Sequence, residues 1–156
     1  TFKSIADKKK QIYDEDLAAI ARSVSDKVDT EIPQVYNLES VQVVTGDAVM
    51  PTATVTLSKG EERLQRAMCG DGPVDAIYQA VKEITQVEVK LVDYSVKSVT
   101  SGTDAIGEIQ VYLEGGGLRV VGRGADTDII VASAKAYVDG VNKFLFLRSA
   151  KQDATK

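Results

Sequence analysis

The sequence predicts an α+β fold made of two βββα units that follow a short helical segment. Around Val55, and again around Val111, apolar residues alternate with polar ones, as in strands that are buried on one face. A glycine-containing turn follows each of these strands. Apolar residues at helical spacing come next, near Ile77 in one half and near Tyr137 in the other.

The first 30 residues predict a helical subdomain. Asp14 suits a helix N-cap, and the apolar residues after it recur at the spacing of one helix face, at Leu17, Ile20, Ala21 and Val24. The polar stretch from Ser25 to Pro33 is typical of a linker. We therefore expect a helical linker subdomain over residues 1–30.

The first unit follows this linker. Strands are predicted over residues 38–44, 53–57 and 63–69, with a turn around Gly60 between the last two. A helix is expected to begin at Pro73, because the N–H that proline lacks is not needed in the first turn.

The second unit repeats this order of elements. Strands are predicted over residues 87–99, 109–113 and 118–123, with a helix that opens near Asp126 or Thr127. Matching residues lie roughly 55 positions apart, which indicates an internal repeat: Gly46 and Gly102, Val55 and Val111, Leu57 and Leu113, Gly60 and Gly116, Asp71 and Asp126, Val74 and Ile129. We assign both units to residues 36–147 and a disordered tail to residues 148–156.

The apolar run Phe144–Leu147 closes the last predicted helix. Four consecutive residues cannot all face one side of a helix, so part of the run is expected to be covered by a partner chain in a homodimer. The alternative is a helix end that is buried within the monomer.

Composition limits the classes of function. The chain has 156 residues and a formal net charge of −4, which disfavours nucleic acid as a partner. It has no histidine, which excludes Ser-His-Asp and Cys-His catalysis and removes the commonest metal ligand. No apolar run is long enough to span a membrane. We expect no catalytic residue, metal ligand or cofactor in this chain.

The single cysteine and the N-terminus bear on the cellular location of the protein. Cys69 has no partner for an internal disulfide, which agrees with a reducing cytoplasm, and we expect it to be half-buried at a strand end. No signal peptide is visible, and the chain starts at Thr1 rather than Met, so we expect a cytoplasmic fragment of a longer protein.

Two glycine-rich segments precede the two predicted helices, at Cys69–Pro73 and at Gly122–Thr127. Glycine lets a ligand approach the backbone, and a helix start offers free N–H groups to a carboxylate. Asp71 and Asp126 lie in the same segments and could receive an ammonium group. Such a site suits a free amino acid. The alternative, which the residues alone favour, is a pair of ordinary tight turns with aspartate caps.

Several motifs resemble the C-terminal third of the 2-isopropylmalate synthase and citramalate synthase family. These are the segments FKSIADKKK (residues 2–10), YDEDL (13–17), GPVDA (72–76), DYSV (93–96), GTDA (102–105), GRGADTDI (122–129) and ASAKAYV (132–138). Their order is the same as in the family, and together they cover nearly the whole chain.

The resemblance implies a regulatory domain. In this family a catalytic TIM barrel binds a divalent metal through an aspartate and a His-x-His pair, so a chain without histidine lacks that half. The family's regulatory domain consists of two βββα units, forms a homodimer and binds the end product of the pathway. The resemblance thus implies feedback inhibition by leucine, or by isoleucine in a citramalate synthase; the sequence does not separate the two.

The expected effector site lies between the two glycine-rich segments, near the dimer interface. The carboxylate is placed at Gly72–Val74 or Thr127–Ile129, and the ammonium at Asp71 or Asp126. The complete set is Gly70, Asp71, Gly72, Pro73, Val74, Ile77, Ser95, Val99, Ala105, Gly124, Ala125, Asp126, Thr127 and Ile129. Gly124→Asp is expected to abolish binding and leave the fold largely intact. Two other hypotheses are a purely structural dimerisation module and a small enzyme that uses carboxylates.

Overall fold

A computed structural model describes residues 32–98 and 106–154. The helical subdomain expected over residues 1–30, and the site residues Val99 and Ala105, lie outside the described residues. The elements are β1 (Asn37–Val44), β2 (Thr52–Lys59), β3 (Glu62–Cys69), α1 (Pro73–Thr85), β4 (Lys90–Ser98), β5 (Gly107–Gly115), β6 (Leu118–Asp126) and α2 (Ile129–Ala154). The two predicted βββα units are therefore confirmed.

Each unit is an antiparallel three-stranded sheet, in the order β1-β2-β3 and β4-β5-β6. Two-residue turns join the second and third strands. Gly60 has a φ of +64°, and Gly116 and Gly117 have φ values of +54° and +79°, a conformation that side chains with a Cβ rarely adopt. These turns fix the register in which Leu57 pairs with Leu64, and Leu113 with Val120.

A β-bulge occurs at the same place in both units. The register shifts between Leu38 and Ser40 in β1, and between Leu91 and Asp93 in β4. Because a bulge inserts one residue, the alternation of faces reverses after it. The β-bulge is therefore part of the structural repeat.

Both units share one hydrophobic core. Helix α1 packs on β2 and β3, α2 packs on β5 and β6, and the two helices pack on each other. The side chains of Val55, Ile77, Val111 and Tyr137 are fully buried and belong to the same cluster. The two units are therefore parts of one folded body.

An ion pair on α2 covers the free edge of β6. The Asp139 carboxylate accepts a hydrogen bond from the backbone N–H of Arg123 at 2.8 Å, and the Lys143 ammonium donates to the carbonyl of Val121 at 3.2 Å. Lys143 and Asp139 also pair with each other at 2.8 Å. The edge strand is thereby protected from pairing with another chain.

Several boundaries differ from the sequence-based expectation. Helix α2 continues to Ala154, so residues 148–154 are helical and not part of a disordered tail. It begins at Ile129 rather than at Asp126 or Thr127, because β6 extends through Asp126. Cys69 is exposed rather than half-buried, since it pairs with Thr52 on the face of the sheet opposite the helices.

The Phe144–Leu147 run is divided between the core and the surface. Phe144 is buried within the chain, whereas Leu145, Phe146 and Leu147 are half-buried. Leu145 and Phe146 line a small apolar cavity of about 190 Å³ together with Pro33 and Val35. Within residues 32–98 and 106–154, no helix is long and apolar enough to cross a membrane.

Candidate functional site

The start of α1 has an open first turn. Gly72 is the N-cap, in extended conformation, and no side chain caps the helix. The first intrahelical bond joins the N–H of Ala76 to the carbonyl of Gly72 at 2.9 Å. Pro73 has no N–H, so Val74 and Asp75 carry the donors that precede this bond. This end of α1 is suited to a carboxylate.

An acidic group lies next to these donors. The carboxylate of Asp75, in the first turn of α1, accepts a hydrogen bond from the backbone N–H of Asp71 at 2.9 Å, whereas Asp71 itself is exposed. A Cβ on Gly70 would lie 2.5 Å from the backbone nitrogen of Ala76, so glycine is needed there for packing rather than for a ligand. Asp75 is therefore the carboxylate best placed to meet an ammonium group.

The second glycine-rich segment is not a turn. Residues 122–126 belong to β6. A Cβ on Gly122 would lie 2.1 Å from the carbonyl oxygen of Ala136, and one on Gly124 would lie 2.3 Å from that of Ala132. These glycines allow β6 to contact the backbone of α2 directly. The expectation that Gly124→Asp would leave the fold largely intact was therefore wrong.

The start of α2 is already capped. Asp128 accepts a hydrogen bond from the N–H of Ile130 at 2.8 Å. Asp126 accepts one from the N–H of Asp128 and pairs with Lys135 at 3.0 Å. These two interactions, the backbone bond first, hold the pKa of Asp126 below its ordinary value. Of the two helix starts, α1 is thus the one that leaves its donors without a capping side chain.

The expected site residues do not all share one surface. Ile77 is fully buried in the core, and Thr127 is exposed. Ser95 and Ala125 lie on the face of their sheet that points away from the helices, opposite Gln110 and Glu108 respectively. The fold therefore places neither Ser95 nor Ala125 on the side of the sheet where the two helix starts lie.

The inner face of β4 presents a strip that the sequence analysis missed. Leu91, Tyr94 and Val96 pair with Leu113, Val111 and Ile109, which face the helices. The Tyr94 hydroxyl shares a hydrogen bond of 2.8 Å with Ser133, which lies one turn into α2. Motif inspection did not find the strip because the bulge after Leu91 reverses the alternation.

One end of this strip is open and apolar. Val96 is 53% exposed, Ile129 42% and Ile106 36%. Gly107 lies between them: it is paired with Ser98 on β4, and a Cβ on it would lie 3.6 Å from the Cδ1 of Ile129. Val96, Gly107 and Ile129 form an apolar shelf at the start of α2.

The other end of the strip opens into a polar groove of about 590 Å³. Asp75, Tyr78 and Lys82 of α1 line one side, and residues 88–91 line the other together with Glu114. The Tyr78 hydroxyl donates a hydrogen bond to the carbonyl of Val89. The groove thus follows one face of α1, from Asp75 in its first turn to Lys82 in its last turn, opposite the beginning of β4.

A buried tyrosine lies between the helices and the strip. The ring of Tyr137 stands 5.4 Å from that of Tyr78, at an interplanar angle of 47°. Its hydroxyl is buried and has no hydrogen-bond partner within the described residues. Burial, followed by the nearby Tyr94, Tyr78 and Asp75, raises the pKa of this hydroxyl far above its ordinary value. Tyr94, Tyr78 and Asp75 therefore lie within electrostatic reach of the Tyr137 hydroxyl.

Comparison with known proteins assigns the fold to a family. Residues 11–145 match the family described as the LeuA allosteric (dimerisation) domain. The chain belongs to this family. No group of three or more His, Cys, Asp and Glu side chains in the described part of this LeuA domain is placed to hold a metal ion.

Curated relatives of the LeuA domain carry the name 2-isopropylmalate synthase. The protein from Carboxydothermus hydrogenoformans is 50% identical over 151 residues, which is 96% of this chain and 29% of the relative. Those from Heliobacterium modesticaldum and Aquifex aeolicus are 47% and 46% identical, over 93% and 91% of this chain and 28% and 27% of their own length. The chain spans less than a third of each of these relatives.

Proposed function

We propose that this LeuA domain is the regulatory part of a 2-isopropylmalate synthase and binds free leucine as a feedback inhibitor. The family is described as allosteric, and the relatives carry the name of that enzyme. The observation that carries the proposal is the uncapped start of α1, with the Asp75 carboxylate beside it and Leu91 of the β4 strip in the same groove.

Leucine binds with its polar end at α1. Its carboxylate accepts hydrogen bonds from the N–H groups of Val74 and Asp75, where the helix dipole favours negative charge. Its ammonium group meets the carboxylate of Asp75 or Asp71. The α2 start suits a carboxylate less well, because Asp128 already occupies the N–H of Ile130.

The isobutyl group of leucine lies on the apolar shelf. Covering Val96 and Ile129, which are each more than a third exposed, removes apolar surface from water at roughly 25 cal/mol per Å². Isoleucine has the same number of carbon atoms, so we expect discrimination of only about 1–3 kcal/mol. An isoleucine-sensing domain of a citramalate synthase is therefore the alternative.

The proposal includes a homodimer that is attached to a catalytic domain in the cytoplasm. The half-buried Leu145, Phe146 and Leu147 are candidates for the dimer surface, which also suits the second function considered, a dimerisation module that binds no effector. The resemblance to the family implies that the catalytic domain and its metal lie in the rest of the protein, and this chain spans 29% of the Carboxydothermus hydrogenoformans relative.

Calorimetric titration with leucine tests the effector site. Val96→Asp places a carboxylate on the shelf, where it must be desolvated beneath the isobutyl group, and should weaken leucine binding at least tenfold. Val44→Asp is the matched control, because Val44 is 52% exposed at the end of β1, and it should leave affinity unchanged. Equal affinities for both variants and the unmodified chain would place the site elsewhere. Absence of binding at millimolar leucine in the unmodified chain would favour the dimerisation module.

A further inference from the structure

Asn142 holds the segment through which the chain enters this domain. Its side-chain oxygen accepts a hydrogen bond from the backbone N–H of Tyr36 at 3.0 Å, and its amide nitrogen donates to the carbonyl of Tyr36 at 2.9 Å. The same nitrogen donates to the side-chain oxygen of Gln34 at 3.1 Å. Asn142 is only 1% exposed. Asn142 thus makes with Tyr36 the two hydrogen bonds, to its N–H and its carbonyl, that the backbone of a neighbouring strand would otherwise make.

A corresponding contact fixes the entry of the second unit. Tyr36 and Val89 each stand one residue before the first strand of their unit. The hydroxyl of Tyr78 on α1 donates to the carbonyl of Val89, as Asn142 on α2 donates to the carbonyl of Tyr36. Each helix therefore fixes the entry of the other unit. Only the Tyr36 contact involves both the N–H and the carbonyl of the residue that it fixes.

Helix α2 links this contact to the apolar shelf. The helix is continuous from Ile129 to Ala154, so Ile129 on the shelf and Asn142 belong to one element. At the rise of an α-helix they are about 20 Å apart. Gly122 and Gly124 bring β6 against the backbone of the same part of α2, which makes its bending costly.

We infer that Asn142 is a positioning residue that couples the effector site to the entry segment (residues 32–36). The inference rests on the proposed function, because it assumes that the isobutyl group of leucine lies on the apolar shelf beside the start of α2. A ligand on the shelf restricts the position of α2, and Asn142 carries that restriction to Tyr36. The entry segment is where the chain arrives from residues 1–31, so the coupling acts on the connection to the rest of the protein.

Leucine affinity of two variants tests the coupling. Coupling between sites is reciprocal, so releasing the entry segment must weaken binding at the distant shelf. Asn142→Ala in the full 156-residue chain should raise the calorimetric Kd for leucine about tenfold. Thr85→Ala is the matched control: Thr85 is a buried polar side chain whose hydroxyl bonds to Val81 within α1, and its removal should change the Kd less than twofold.

The outcomes separate this inference from the proposed function. If the unmodified chain and Asn142→Ala bind leucine equally well, the coupling is refuted while leucine binding stands. If Asn142→Ala and Thr85→Ala weaken leucine binding equally, the effect comes from lost stability, and the coupling is again refuted. If the unmodified chain binds no leucine, both proposals fall. Should Asn142→Ala not fold, amide exchange of Tyr36 in the unmodified chain decides: saturating leucine should slow it at least fivefold, and an unchanged rate would overturn the inference.

Discussion

Gly122 of β6 lies directly against the carbonyl oxygen of Ala136 on α2, so closely that a Cβ on Gly122 would be 2.1 Å from that oxygen. Together with Gly124, it lets a strand and a helix approach at backbone distance. The approach allows the side chains of Asp139 and Lys143 to reach the edge of β6. The glycines of this strand thus determine where α2 lies, and with it the shelf at its start.

Substitution of these glycines should destabilise the fold. Gly122→Ala or Gly124→Ala forces the backbones of β6 and α2 apart, and we expect each to lower the free energy of unfolding by about 3 kcal/mol in urea denaturation. Gly107→Ala on the neighbouring strand is the control, since its Cβ would meet Ile129 at an ordinary 3.6 Å. It should stabilise by about 0.5 kcal/mol. A stable Gly122→Ala variant would contradict the packing role.

Removal of the buried ammonium of Lys143 should be costly. The side chain of Lys143 is 4% exposed, and that of its partner Asp139 is 25% exposed. Lys143→Ala leaves a largely buried carboxylate and the carbonyl of Val121 without this donor, so we expect a loss of about 3 kcal/mol. Lys82→Ala breaks a 4.0 Å pair with Glu88 at the surface and should cost less than about 1 kcal/mol. Similar losses for the two variants would show that burial of the Lys143 pair is unimportant.

The unpartnered hydroxyl of Tyr137 should reduce stability. Since it is buried without a hydrogen-bond partner within the described residues, Tyr137→Phe removes a desolvated polar atom and keeps the ring. We expect the free energy of unfolding at pH 7 to rise by about 1 kcal/mol. A decrease in the free energy of unfolding would mean that the Tyr137 hydroxyl has a hydrogen-bond partner in solution.

The same tyrosine predicts a loss of stability at high pH. Its pKa in the folded state lies above the ordinary value of 10.0, so below pH 10 both states bind the proton and the folded form keeps its full stability. Above about pH 10 the unfolded chain loses the proton first, and stability falls as pH rises. Denaturation at pH 9 and pH 11 should show a smaller decrease for Tyr137→Phe than for the unmodified chain. Identical decreases would exclude Tyr137 as a cause.

The homodimer predicts a sedimenting species of twice the 16.8 kDa chain mass. If half-buried Phe146 faces the partner, Phe146→Glu buries an unpaired charge and should shift the equilibrium toward monomer at micromolar concentration. Ala150→Glu changes an exposed position on the same helix and should leave the dimer intact. A monomer of the unmodified chain under these conditions would contradict the assignment.

The strands and hairpins could be predicted from sequence because their signals are local. Alternation around Val55 and Val111, and glycines in positive-φ turns, are consequences of one strand and one turn at a time. The same approach misassigned Gly122 and Gly124, because glycine suits a tight turn and a close strand–helix contact equally well. Only the position of α2 distinguishes these two uses.

The candidate site was harder to predict because it depends on one inserted residue. Counting by twos from Leu91 places Ser95 on the inner face of β4. The bulge between Leu91 and Asp93 turns Tyr94 and Val96 inward instead. Asp75 was missed for a different reason: an aspartate in the first turn of a helix is common, because it complements the helix dipole whatever else it contacts. Its hydrogen bond with the backbone N–H of Asp71 is visible only in the structure.

Thermal unfolding of the unmodified chain in a panel of free amino acids tests the central claim most directly. A ligand that binds only the folded state raises the unfolding temperature. We predict that leucine at millimolar concentration gives the largest rise, that isoleucine gives a smaller one, and that D-leucine, glycine and aspartate give none. An unfolding temperature that no amino acid in the panel changes would contradict the account of this domain as an effector-binding module.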